Sequence, residues 1–210
     1  TLDKAFLCEY PYEGHITVDG AELQNIEQSV RTGIVGYLGH DPELFNDSVE
    51  NNVLLGDSKN SDTYLNAACM KQEVAEMTDG KNTLIGSGAY LSGGQAKRLA
   101  FARTLCHDKP ILILDDPFSA LDKNTEKQAF VNLQALAKDS IVLLISHRLY
   151  LFPEMAGVIW MENGKAVTGT HEELLKIVPE YENLYRSQVH TTENGGAEHD
   201  AQKASENGDL

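Results

Sequence analysis

Two uninterrupted apolar runs, Ile111–Leu114 and Ile141–Ile145, constrain the fold more than any other feature of the chain. A strand with one wet face alternates polar and apolar residues, whereas a strand that is apolar at every position needs cover on both faces. A helical pattern from about Lys123 to Ala137 lies between the two runs. Strands of this kind separated by helices predict an α/β arrangement around a parallel sheet. The first run ends in Asp115 and Asp116. Ligands of open α/β sheets sit at the carboxyl ends of strands, so these carboxylates are candidate functional groups.

Shorter elements surround this centre. The alternation from His15 to Gly20, ending in Asp-Gly, reads as a strand entering a tight turn, and Ile34–Leu38 as a second short strand. From about Phe45 to Thr83 the chain turns polar and helix-forming, with Ser61-Asp62 as a start signal, which reads as a helical insertion. Ser92 is placed to cap a helix running through Leu99, Ala100, Ala102 and Leu105, which Pro110 stops. After Ile145, Gly157–Met161, an Asn163-Gly164 turn and Lys165–Val167 read as a hairpin, followed by helices near His171–Ile177 and Glu180–Gln188.

Composition excludes several roles. The net charge of −15, from 32 acids against 17 Lys and Arg, opposes a nucleic-acid backbone or an anionic lipid surface as the main partner. Cys8, Cys69 and Cys106 are far apart and form no C-x-x-C pair, which speaks against a zinc site or a disulfide framework and for a reducing, cytoplasmic setting. No apolar run approaches the roughly 18–20 residues that span a bilayer. The last twenty residues hold five acids, one Lys and three Gly, and are expected to be disordered.

The most specific string is Leu91-Ser92-Gly93-Gly94-Gln95. Paired glycines let backbone amides come close to a phosphate, and the helix that follows aims its positive end at the same place. Sixteen residues after Gln95 begins Ile111-Leu-Ile-Leu-Asp-Asp-Pro-Phe-Ser-Ala-Leu-Asp122, and His147 stands 32 residues past Asp115 in Ser146-His147-Arg148. Together these strings resemble the signature, Walker B, D-loop and switch-histidine motifs of ATP-binding-cassette (ABC) ATPases. Leu44-Phe45-Asn46-Asp47-Ser48-Val49-Glu50-Asn51-Asn52-Val53 resembles a stretch of exporter-type members.

The resemblance implies an α/β, P-loop NTPase-like ABC ATPase core. That core comprises a parallel sheet, a small antiparallel β part and a helical subdomain at about residues 45–105, N-terminally truncated. It covers residues 1–188 and leaves 189–210 as an acidic tail. ATP and Mg2+ are the implied cofactors. Asp115 would hold the metal, and Asp116 and His147 would be the catalytic residues. Asp116 stands where the family usually has Glu, and a side chain one methylene shorter withdraws its carboxylate by about 1.5 Å. His40 stands where the family's Q-loop has a Gln that contacts magnesium. Thr1, Ser92, Gly93, Gly94, Gln95 and Asp122 are the expected ATP-binding residues, with Thr1 matching the hydroxyl that follows the P-loop lysine. No G-x-x-x-x-G-K-[ST] string occurs in the chain; the chain is therefore expected to begin inside that motif and to be inactive alone.

The implied function is an ATP-hydrolysing subunit or domain of an ABC exporter at the cytoplasmic face of the cell membrane. Its partners would be transmembrane domains and a second nucleotide-binding domain, identical or different. The alternative is a degenerate regulatory half of a heterodimer that supplies Ser92–Gln95 to a partner's ATP. A soluble ABC protein of DNA repair or translation would need long coiled-coil insertions or a second cassette, and an inert fragment is the remaining possibility.

Overall fold

The computed structural model of the chain describes residues 2–86 and 90–189. Thr1 and all but the first residue of the 189–210 tail lie outside the described residues. The chain divides into two compact units between Ile145 and Ser146.

The first unit opens with a short helix, α1 (Leu2–Phe6), and a hairpin of β1 (Thr17–Val18) and β2 (Ala21–Glu22). Asp19 and Gly20 both take positive φ, 50° and 82°. Such a two-residue turn matches the right-handed twist of the strands it joins. A helix without sequence warning, α2 (Gln28–Ile34), comes next. It contains Val30, Thr32 and Gly33 and has no side-chain cap, so local propensity argues against it. It also takes Ile34 from the expected strand, leaving β3 as Val35–Leu38.

β3, β4 (Ile111–Asp115) and β5 (Ile141–Ile145) form the predicted parallel sheet in that order. Leu38 pairs with Leu114, and Asp115 pairs with Ile145. Cover on both faces holds for β4, whose Leu112, Ile113 and Leu114 are at most 2% exposed. It does not hold for β5: Ile141 is 63% and Ile145 41% exposed. Among the described residues β5 is an edge strand, and an edge strand has neighbours on one side only.

The insertion carries α3 (Val49–Leu54), α4 (Ser61–Ala67) and α5 (Lys71–Ala75). The cap of α4 is Asn60, one residue before the expected Ser61; its side chain accepts from the Asp62 N–H. Asn52, fully buried, explains why the Leu44–Val53 stretch is built as it is. Its Nδ2 donates to the carbonyls of Phe45 (3.0 Å) and Ser48 (3.0 Å). Its Oδ1 accepts from the Phe45 N–H (2.9 Å) and from Arg103 (2.8 Å). Arg103 also donates to the Asn52 and Glu43 carbonyls and lies 5.0 Å over the Phe45 ring. The loop after β3 is thereby tied to α6 (Gly93–Cys106), the longer helix on which the unit is centred.

Leu99, Phe101, Ala102 and Cys106 of α6 are buried in the core. Phe118 meets Phe101 and Phe130 edge to face, at 5.6 and 6.4 Å between ring centres, the geometry aromatic quadrupoles favour. Phe130 belongs to α7 (Lys123–Leu136).

The second unit begins with helical turns over Leu149–Glu154 and a hairpin of β6 (Val158–Glu162) and β7 (Lys165–Gly169). Asn163 and Gly164 make its turn, again with positive φ at both. α8 (His171–Ile177) starts from a capping box between Thr170 and Glu173, and residues 179–189 form a last helix. Leu149, Val158, Leu174, Val178 and Tyr181 are its buried core. No helix among the described residues is long and apolar enough to cross a membrane.

Candidate functional site

The carboxyl edge of the sheet gathers several of the expected residues. Asp115 is the last residue of β4 and half-buried, and Asp116 follows it. Asp116 takes φ 48°, a left-handed conformation that aspartate tolerates better than most residues. Two hydrogen bonds hold it there: its N–H donates to the Ile145 carbonyl at 2.8 Å, and its own carbonyl accepts from the Ser119 N–H at 3.2 Å. A backbone kept in a sparsely populated region by its surroundings is typical of functional sites. His40 lies two residues beyond the end of β3, exposed, at the same edge of this parallel sheet. His147 is exposed on the turn two residues past β5, where its carbonyl accepts from Gln188 Nε2 at 2.7 Å. It belongs to the second unit.

The signature string forms the head of α6. Ser92 and Gln95 make a reciprocal capping box: Ser92 Oγ accepts from the Gln95 N–H (3.2 Å), and Gln95 Oε1 accepts from the Ser92 N–H (2.9 Å). Gly93 and Gly94 are the first two helical residues, and peptide N–H groups there have no acceptor within the helix. They are the donors this terminus offers to an anion, at the positive end of the helix.

The two glycines are needed for different reasons. A Cβ added at Gly93 would meet nothing within 4 Å, so this position is open to approach from outside. A Cβ at Gly94 would lie 2.7 Å from the Ala120 Cβ. The signature helix is therefore packed directly on the segment that follows Asp115 and Asp116. A buried lysine strengthens the same contact, Lys97 Nζ donating to Ser119 Oγ at 3.2 Å.

Asp122 caps α7. Its carboxylate accepts from the N–H groups of Asn124 and Thr125 and from the Thr125 hydroxyl at 2.5 Å. The Thr125 contacts hold its carboxyl below the usual range. Expected from its motif as an ATP contact, Asp122 has a structural duty here as well.

Sequence reasoning did not anticipate Glu73. From α5 it accepts two hydrogen bonds from Arg98 (Nη1, 2.5 Å; Nη2, 2.8 Å) and one from Gln95 Nε2 (3.1 Å). Burial acts to raise its pKa, but Arg98 and Gln95 outweigh it and hold the carboxyl below the usual range. Glu73, Arg98, Asp122, Thr125 and Gln128 line an open groove of about 560 Å³ behind the signature. No local motif marks Glu73, because its partners lie more than twenty residues away in sequence.

Comparison with known proteins bears on the family and the fold. The model of a family described as "ABC transporter" matches residues 1–119. An ATP-dependent lipid A-core flippase of Desulfotalea psychrophila is 34% identical over 182 residues, 84% of this chain and 32% of the flippase. The flippase of the same description from Cupriavidus pinatubonensis is 37% identical over 190 residues, covering 86% of this chain and 32% of the relative. P-glycoprotein 14 of Caenorhabditis elegans is 34% identical over 184 residues, 85% of this chain and 14% of that protein. Among solved structures, a bacterial Atm1-family ABC exporter with ATP bound superposes with a TM-score of 0.82 at 28% identity, over 90% of this chain and 34% of that one. The chain thus spans about a third of the length of the flippases it matches.

Proposed function

The chain belongs to the ABC transporter family, as an ATP-binding domain of exporter type, and from that premise we propose that it couples ATP hydrolysis to the movement of a substrate across a membrane. The observation that carries this reading is the packing of the signature on the carboxylate loop. Gly94 touches Ala120, and Lys97 holds Ser119, so the helix terminus is packed on the loop that continues from the Asp115–Asp116 pair.

The residues present fit a nucleotide and its metal. Magnesium takes one or two protein carboxylates and completes its shell with phosphates and water, and Asp115, half-buried at a strand end, is such a carboxylate. His40, exposed two residues past β3, would be a second contact to that group through water. Bound magnesium supplies charge neutralisation at the terminal phosphates.

The chain's own residues supply the rest. The N–H groups of Gly93 and Gly94 donate to a phosphate presented from outside the unit, at a helix head that the Ser92–Gln95 capping box shapes. The Asp116 carboxylate accepts a hydrogen bond from the attacking water, its direction set by the fixed backbone. His147 donates to the terminal phosphate. Thr1 and Asp122 complete the nucleotide contacts. The domain works at the cytoplasmic face of the membrane, with transmembrane segments and a second nucleotide-binding domain as partners. The 210 residues alone, which hold no phosphate-loop lysine, have no turnover of their own.

His147→Ala in the assembled transporter tests the proposal: ATP turnover should fall strongly, and unchanged turnover would refute the role. Asp116 and His40 favour one second reading, a regulatory half that lends Ser92–Gln95 to a partner's nucleotide. Asp116→Asn separates the two. A collapse of ATPase activity in the assembled dimer supports hydrolysis at this site, and full retention supports the regulatory half.

A further inference from the structure

Glu73 of α5 contacts both Gln95 and Arg98, and both sit in the first two turns of α6. Residues three apart on a helix share a face, so a single carboxylate serves them together. The Gln95 amide is held at both ends. Its oxygen faces the Ser92 N–H and its NH2 faces Glu73 Oε2. Turning the amide over would set NH2 against an N–H donor and the oxygen against a carboxylate, so Glu73 dictates its sense. Arg98, paired with the same carboxylate, also donates to the Gly94 carbonyl at 3.4 Å and the Cys69 carbonyl at 3.3 Å.

We infer that Glu73 is a positioning residue for the signature: it locks the Gln95 amide so that the capping box closes and only the Gly93 and Gly94 N–H groups remain to receive a phosphate. The inference rests on the proposal that Ser92–Gln95 meets a nucleotide phosphate. Glu73 itself touches no substrate. The carboxylate of the Glu73–Arg98 pair is 37% exposed and the guanidinium 13%, and without Glu73 the guanidinium still has the Gly94 and Cys69 carbonyls as acceptors. Removing it should therefore leave α6 folded and its head loose.

Two measurements test this. Amide hydrogen exchange on the chain itself should show Ser92 exchanging about fivefold faster in Glu73→Ala, the net worth of one hydrogen bond, with Leu99–Ala102 unaltered. Glu73→Gln keeps an oxygen acceptor and should recover most of the protection. In the assembled transporter, Glu73→Ala should lower kcat about tenfold at unchanged KM for ATP, the signature of a group misplaced only at the reacting stage. Unchanged Ser92 exchange overturns the clamp whatever the ATPase result. Faster Ser92 exchange with unaltered kcat overturns the positioning role. A wild-type transporter without ATP turnover counts against the function proposed above, and the exchange data then still decide the clamp.

Discussion

The two signature glycines should respond in opposite ways to alanine. At Gly93 the new methyl enters open space and the residue is already helical, so the exchange should be neutral or stabilising by up to about 1 kcal/mol, the propensity difference between Gly and Ala. At Gly94 the same gain is available, but the methyl arrives 2.7 Å from the Ala120 Cβ, roughly 1 Å inside ordinary carbon–carbon contact. Ala120 cannot rotate away, having no side-chain torsion that moves its Cβ. Its neighbour Ser119 is held by Lys97 at 3.2 Å and by the Asp116 carbonyl at 3.2 Å, so relief means shifting that segment. Overpacking of this kind costs about 1–3 kcal/mol, and because the propensity gain is common to both variants, Gly94→Ala should be less stable than Gly93→Ala by that whole amount. The single tryptophan, Trp160, lies in the second unit, so its fluorescence would miss the effect. Urea unfolding followed by far-ultraviolet circular dichroism, or amide exchange along α6, reads it directly. Equal stabilities for the two variants would refute the packing assignment. In the assembled transporter Gly93→Ala should still lose ATPase activity, because the methyl occupies the approach to the anion donors.

Other consequences are testable. Asn52→Ala should destabilise the first unit by about 2 kcal/mol in urea unfolding, since it strands the Phe45 N–H and an Arg103 N–H in a partly buried setting. His171 hydrogen-bonds the Tyr181 hydroxyl at 2.6 Å, with the Tyr185 ring meeting it edge to face, and burial lowers its pKa although Glu172 opposes the shift. The unfolded chain then takes up the proton first, so this stabilisation is complete above about pH 6.5 and is lost as pH falls below it. Trp160 fluorescence during urea unfolding should show a lower midpoint at pH 5 than at pH 7.5, and the difference should shrink in His171→Phe. Burial pushes the Cys106 thiol up to about 11; at pH 8 a maleimide should label Cys8 in the native chain and Cys106 only after denaturation.

The parts of this fold written in local chemistry were legible in the sequence. Ser92 with Gln95 three residues on is a capping box in sequence and in structure, and both Asp-Gly and Asn-Gly turns have the positive φ values that such pairs favour. The apolar runs, separated by a helical pattern, pointed to the parallel sheet because strands apolar at every position need cover on both faces. What stayed hidden was decided over long range. α2 forms from residues with weak helical preference, and β5 has the composition of a covered strand while its end residues stand exposed. In the candidate site, motif residues were found by type and spacing. Glu73 and Ala120 were not, because their importance comes from what α6 places beside them. Asp122 was read for one role and is also occupied with another, since a helix-capping aspartate and a ligand-binding one look alike in sequence.

The exposed margin of β5 makes concentration a governing variable for this chain. Among the described residues, Ile-Val-Leu-Leu-Ile has a strand neighbour on one side only, with no lysine or proline within the strand to discourage another, and such margins invite strands from other molecules. Dilute preparations should remain dispersed, helped by mutual repulsion at a net charge of −15, while added salt screens that repulsion. Self-association should accordingly rise with salt as well as with protein concentration, the reverse of what charge-driven clustering would give. A lysine at Leu143 would disturb the sheet interior, whereas a lysine at Ile141, already facing solvent, should suppress the association and leave the fold intact.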